Sequence, residues 1–94
     1  MITLVAEHQV NPGQQQLANK IFQTVSESVK KAPGFVTRQI LVGQKDPLKV
    51  TTITSFQSQE AFDQWRQTIK ITEADRNKAF AKVISEPYNV SVKI

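Results

Sequence analysis

No cysteine occurs among the 94 residues, which removes disulfide staples and thiolate-bound zinc as sources of stability. Glycine appears three times and proline four, and there is no glycine-rich phosphate loop, G-x-S-x-G elbow, internal repeat or low-complexity linker. Histidine occurs once, so the chain lacks the donors of a tight protein-only transition-metal site. No apolar run approaches the ~18 to 20 residues of a membrane span. The opening stretch carries Glu7 and His8 in place of a basic-then-apolar signal. The expectation is one cytoplasmic domain over residues 1–94 with no membrane partner, and the missing cysteines fit a reducing compartment.

Twelve Lys and Arg against eight Asp and Glu give a net charge of +4. The positive residues are spread out, with no Arg-rich block and no interleaved aromatics, so a nucleic-acid partner is not expected. Their densest group is Arg66, Lys70, Arg76, Lys78 and Lys82, suited to steering an acidic small molecule. A chain of this length buries only roughly 60 to 65 per cent of its unfolded surface. A tight core or a second subunit has to supply the margin.

In "ITLVAEHQV", residues 2–10, Ile2, Leu4, Ala6, His8 and Val10 share one face of an extended strand. Asn11-Pro12-Gly13 is a turn signal. Leu17, Ile21, Val25 and Val29, flanked by Ala18 and Phe22, predict a core-facing helix that stops near Ala32, before Pro33 and Gly34. "FVTRQILVGQ", 35–44, and "LKVTTITSFQ", 48–57, predict a hairpin around the turn "KDP". Phe35, Thr37, Gln39 and Leu41 are expected on one face, with Val36, Arg38, Ile40 and Val42 on the other. Both hairpin strands have mixed faces, so neither side of the sheet reads as wholly exposed.

Ser58 is a predicted N-cap for a helix over 58–70 with Ala61, Phe62, Trp65 and Ile69 inward. Thr72 with Asp75 resembles a capping pair opening a short helix whose apolar side is Ala79, Phe80 and Val83. A last strand is expected after Pro87, in "YNVSVKI". The order β-α-β-β-α-α-β predicts an α+β, ferredoxin-like domain with helices on one face of a four-stranded antiparallel sheet.

Three residues carry candidate chemistry. His8 is either a core histidine with satisfied nitrogens or the polar group of a pocket, acting there as proton acceptor or haem ligand. Trp65 is either plain core or a wall on which a flat aromatic ligand stacks. Arg38 either binds an anionic substrate or lays its stem along the sheet edge or a dimer interface with its charge in water. A serine, histidine and acid triad has no spacing to support it.

"APGFV", residues 32–36, and "SFQSQEAFDQWRQT", residues 55–68, resemble the antibiotic biosynthesis monooxygenase family, in a Pro-Gly-Phe that opens the second strand and a Ser-x-Glu-Ala-Phe helix start. The resemblance extends in element order over essentially the whole chain. It implies a homodimer joined sheet to sheet as a dimeric α/β barrel, with a pocket between sheet and helices. His8 would be its catalytic group, and Trp65, Phe62 and Arg38 would line it for a small aromatic or anionic ligand. Haem-degrading members carry an asparagine near the end of the first strand, a tryptophan in the second helix and a histidine ligand ten residues beyond it. The corresponding residues here are His8, Trp65 and Asp75. Cofactor-free members that oxidise polycyclic phenols keep the tryptophan beside polar and tyrosine residues, where this chain has Ala61 and Ile71. The resemblance therefore implies a monooxygenase acting on an electron-rich phenol or quinol without a cofactor or metal. Haem binding or degradation is the first alternative. A non-catalytic ligand-binding dimer is the second, expected if side chains fill the pocket.

Overall fold

The computed structural model describes residues 1–94. β1 (Ile2–Val10) leads to α1 (Gln15–Val29), then β2 (Phe35–Val42), β3 (Lys49–Phe56), α2 (Gln59–Arg66), α3 (Glu73–Ala79) and β4 (Phe80–Asn89). The strands lie in the order β2-β3-β1-β4, every neighbouring pair antiparallel. All three helices cover one face, which is the ferredoxin-like α+β arrangement.

The helix-facing side of β1 follows its period-two pattern: Ile2, Ala6 and Val10 are buried, and His8 stands in the same row. From α1, Ala18, Ile21, Phe22 and Val29 complete the core beneath. The regular helix stops at Val29, three residues before the expected end at Ala32. The chain then turns through bonds from Ala32 N to Val29 O and from Phe35 N to Ala32 O.

Gly34 makes that turn possible twice over. Its φ is +82°, and a Cβ there would stand 2.5 Å from the Ala61 Cβ. The two stretches that carry the family resemblance are therefore in direct contact, and Gln57 N also bonds to Gly34 O at 2.8 Å.

β2 departs from simple alternation. Phe35 pairs with Phe56 but Thr37 pairs with Ser55, so Val36 is an extra residue in a bulge. Phe35 and Arg38 consequently share the helix-facing side, although their spacing is odd. Strict alternation places Phe35 with Thr37, and the bulge corrects that.

β4 is the largest difference from the sequence expectation. It begins at Phe80, directly after α3, so Phe80 and Val83 are strand residues and not the apolar side of a helix. Pro87 lies inside the strand opposite Leu4. β4 is an edge strand, where a missing N–H leaves no ladder bond unmade on the open side. Beyond Asn89, Val90–Ile94 form no strand within this chain.

α2 ends at Arg66, four residues before the expected end at Lys70. The Trp65 carbonyl accepts both the Thr68 N–H at 2.8 Å and the Thr68 hydroxyl at 2.7 Å. Residues 69–71 then run beneath the sheet as irregular chain, with Ile69 and Ile71 half-buried.

Two apolar clusters lie between helices and sheet. One gathers Val10, Ala18, Ile21, Phe22, Val50, Ala79 and Phe80. The other gathers Ile2, Val29, Phe56, Phe62 and Trp65. The opposite face of the sheet has no helix over it. Leu41 and Ile84 are 46% and 49% exposed there, at the two ends of a row with Thr51 and Glu7, next to the row that holds Ile53 and Val5. No helix is long and apolar enough to cross a membrane.

Candidate active site

A cavity of about 200 Å³ lies between the helix-facing side of the sheet and the helices. Its floor includes Leu4, Ala6 and His8 of β1. Its walls include Phe22 from α1, Trp65 from α2 and Ile69 and Ile71 from the segment before α3.

The ring of His8 is held between Phe22 and Phe80, both centroids at 4.9 Å, with interplanar angles of 80° and 49°. Its Nδ1 stands 3.1 Å from the Val50 carbonyl oxygen. A carbonyl only accepts, so Nδ1 carries the hydrogen, and in the neutral ring Nε2 carries a lone pair. Nε2 has no protein hydrogen bond and is not sealed from solvent. Burial pushes the His8 pKa below the ordinary value of 6.5; the backbone carbonyls of Val50 and Ala6 oppose this, while the positive charges of Arg38 and Arg76 add to it. The imidazole is thus a neutral base at pH 7. His8 therefore has one nitrogen bonded within the protein and one without a protein partner, on a residue that lines the cavity.

Trp65 is 3% exposed. It packs on Phe56 with centroids 5.2 Å apart and still lines the cavity, so it is core and wall at once. Its indole Nε1–H is buried and has no acceptor in the protein, a state that costs about 1–3 kcal/mol relative to a paired donor.

Phe62 does not line the cavity. It lies behind Trp65, ring centroids 6.5 Å apart, and is 2% exposed. Helical spacing places Phe62 and Trp65 on the same inner face, but Phe62 is buried among Phe56, Trp65 and the Arg66 guanidinium. The Arg66 guanidinium is over the Phe62 ring, 5.2 Å from its centroid, so that cation is used in packing.

Arg38 lines the cavity, brought there by the bulge at Val36. Its Nε–H donates to Ser26 Oγ at 2.8 Å and its Nη1–H to Thr54 Oγ1 at 2.7 Å. Ser26 passes its own hydrogen to Phe22 O at 2.7 Å, which orients the hydroxyl to accept. Burial lowers the Arg38 pKa from its ordinary value, though a guanidinium stays charged. Of the basic group noted in the sequence, Arg76 lines this cavity and the other four members do not.

Thr52 and Ser85 also line the cavity. Neither stands out in sequence; Thr52 is one of several β-branched strand residues, and Ser85 becomes visible only once β4 is placed from Phe80. Asp75, which the sequence resemblance sets against a haem-ligating histidine, is exposed. Its backbone N–H donates to Thr72 Oγ1 at 3.1 Å. No group of three or more His, Cys, Asp and Glu side chains gathers to hold a metal. Apolar walls, one free imidazole lone pair and two cations equip the cavity to hold a planar molecule and take a proton from it.

The sequence model of a family described as antibiotic biosynthesis monooxygenase matches residues 1–82. No curated protein sequence matches the chain. Among solved structures, a conserved protein from Methanosarcina mazei Go1 superposes with a TM-score of 0.84 at 19% identity, covering 93% of this chain and 89% of that one. SnoaB from Streptomyces nogalater, a cofactor-independent oxygenase, gives 0.80 at 13%, over 99% and 95%. MhuD, solved as a mutant with two manganese protoporphyrin IX bound per active site, gives 0.77 at 21%, over 100% and 98%.

Proposed function

The chain belongs to the antibiotic biosynthesis monooxygenase family, and from that premise we propose that it is a cofactor-independent oxygenase acting on a small, electron-rich phenol or quinol. The observation that carries this reading is the state of His8, whose Nδ1–H is tied to Val50 while its Nε2 lone pair has no protein partner in a cavity shared with Trp65.

A phenol whose hydroxyl meets Nε2 gives its proton to that nitrogen. The phenolate that results is electron-rich enough to reduce O2. One ring C–H becomes a carbonyl, one oxygen atom is retained as that quinone oxygen, and the other leaves as water with the hydroxyl and ring hydrogens. All four electrons come from the ring, so the balance needs no external reductant. Phe22, Phe80 and Trp65 supply apolar walls, and the burial they give His8 favours the neutral base.

Size supports a small substrate. A cavity of about 200 Å³ falls below the ~300–1,000 Å³ of pockets for drug-sized ligands and suits one or two fused rings better than a porphyrin. The open cavity also weighs against a non-catalytic dimer with a filled pocket. SnoaB supplies a precedent for cofactor-independent oxygenation on this fold. The haem reading draws on MhuD, but the ligand position here is an exposed carboxylate at a helix start. The working unit we propose is a homodimer paired through the uncovered sheet faces.

Oxygen uptake above the uncatalysed rate, measured on dihydroxynaphthalenes, tests the proposal. The expected result is a fall of at least about a hundredfold in His8→Ala, the scale of general-base contributions. Equal rates in the two proteins remove His8 from the mechanism. Titration with haemin is expected to leave the Soret band of free haemin unshifted.

A further inference from the structure

We infer that the substrate carries a carboxylate, and that Arg38 receives it at the β2 side of the cavity while Arg76 supplies a second positive charge from α3. The inference rests on reading the cavity as the substrate site and names the chemical class that the site selects.

The first argument is the company Arg38 keeps. It is a half-buried guanidinium, and both of its protein partners are neutral hydroxyls, Ser26 and Thr54. Charged groups removed from water are ordinarily matched by an opposite charge. None of the fifteen residues that line the cavity is acidic, while two are arginines. The charge that would balance Arg38 is therefore absent from the protein and has a place to come from.

The second argument is geometric. A guanidinium has five N–H donors. Nε–H is committed to Ser26 and one Nη1–H to Thr54. One hydrogen on Nη1 and both on Nη2 are left, donors enough for the two bonds with which a guanidinium grips a carboxylate. The two hydroxyl anchors, one on α1 and one on β3, hold the guanidinium before any ligand arrives. Preorganisation of this kind reduces what binding must spend on ordering the side chain.

The third argument links the two ends of the site. Arg38 and Arg76 both act electrostatically on His8, so the cations and the base belong to one field. A ligand with a carboxylate on Arg38 and a phenolic hydroxyl at His8 Nε2 satisfies both ends without placing any charge on the apolar walls. Arg38 is then a substrate-binding and specificity residue, separate from the proton-accepting role of His8.

The test uses the whole chain and two ligands of nearly the same shape whose hydroxyl and carboxyl lie at opposite ends, 6-hydroxy-2-naphthoate and 6-hydroxy-2-naphthamide, titrated calorimetrically at pH 7.5. The acid is expected to bind at least about tenfold more tightly than the amide, as a bidentate charge-assisted pair exceeds neutral hydrogen bonds. Arg38→Gln is expected to bring the ratio to within about twofold, with most of the loss falling on the acid. Arg76→Gln, on the exposed face of α3 and safe for folding, is expected to weaken the acid alone by about threefold, as suits a screened charge. Equal binding of acid and amide by the wild type, binding of neither, or an Arg38→Gln variant that weakens both equally overturns the inference. If Arg38→Gln does not fold, the wild-type ratio together with Arg76→Gln decides. Oxygen uptake separates this result from the proposed reaction. Turnover of neutral quinols without any acid preference defeats the carboxylate site and leaves the oxygenase, and acid preference without turnover does the reverse.

Discussion

A single histidine on a core-facing strand invites two readings, and its ring packs in the aromatic core while the residue lines the cavity. Val50 fixes the tautomer, and the Phe22 and Phe80 rings fix the plane. The depressed pKa has a consequence for stability whose sign is definite. The unfolded chain takes up the His8 proton near the ordinary value of 6.5, whereas the folded chain resists until a lower pH. Between those two points the unfolded state binds more protons, so stability falls as pH drops below about 6.5. Chemical denaturation of wild type at pH 7.5 and pH 5.5 is expected to show a lower midpoint at pH 5.5, and His8→Phe is expected to lose the part of that drop due to His8. In the enzyme assay the same depression keeps the base active below pH 6.5, so the acidic limb of the rate profile is expected beneath the usual histidine range. Sequence alone identified His8, Trp65 and Arg38 as candidates. It could not show that Phe62 is buried away from the cavity that Trp65 lines, because helical spacing assigns a face but not a depth.

At the scale of elements, the contact between Gly34 and Ala61 explains why two distant stretches of sequence are marked together. Pro33-Gly34-Phe35 turns the chain into β2, and the helix that begins at Ser58 sets Ala61 against the glycine where no Cβ can fit. Gly34→Ala is expected to destabilise by about 2 kcal/mol or more, from the strained φ of +82° and the overlap together. Ala61→Gly in the same background is expected to restore only the overlap part, leaving the strain, as a double-mutant cycle by urea denaturation would register. The bulge offers a second check. Deleting Val36 removes the extra residue and leaves Phe35 and Arg38 on one face, so the shortened chain is expected to fold and keep its preference for acidic ligands. Deleting Gln39, beyond the bulge, is expected to turn Ile40 and Val42 over and fail. β1, α1 and β3 were legible because period and turn chemistry agree there. β4 was not, because Ala79, Phe80 and Val83 also fit helical spacing, and a proline inside an edge strand looks like a strand start. The bulge leaves no signature in "FVTRQILV", since register is a property of the pair.

For the molecule as a whole, the sheet is two-faced but the helices cover one side. On the other, Ile53 and Val5 form a short apolar band flanked by Gln39 and Glu86, and in the next row Leu41 and Ile84 stand on either side of Thr51 and Glu7. A 94-residue chain with so thin a margin gains most by pairing that band with a second copy. Sedimentation equilibrium is expected to find a dimer, and Ile53→Lys, at the centre of the band, is expected to give a monomer with a lower thermal midpoint. If Ile53→Lys remains a dimer, the band is not the interface.

The cavity falls where the two apolar clusters meet. Ile21, Phe22 and Phe80 belong to one, Trp65 belongs to the other, and Val25 packs against both. An occupant would touch each half and act as the missing stone between two partial arches. Without a guest the protein has two weakly joined cores, and with one it has a single core. The lone tryptophan sits on that seam, so its emission is a built-in gauge of whether the halves have closed over a guest.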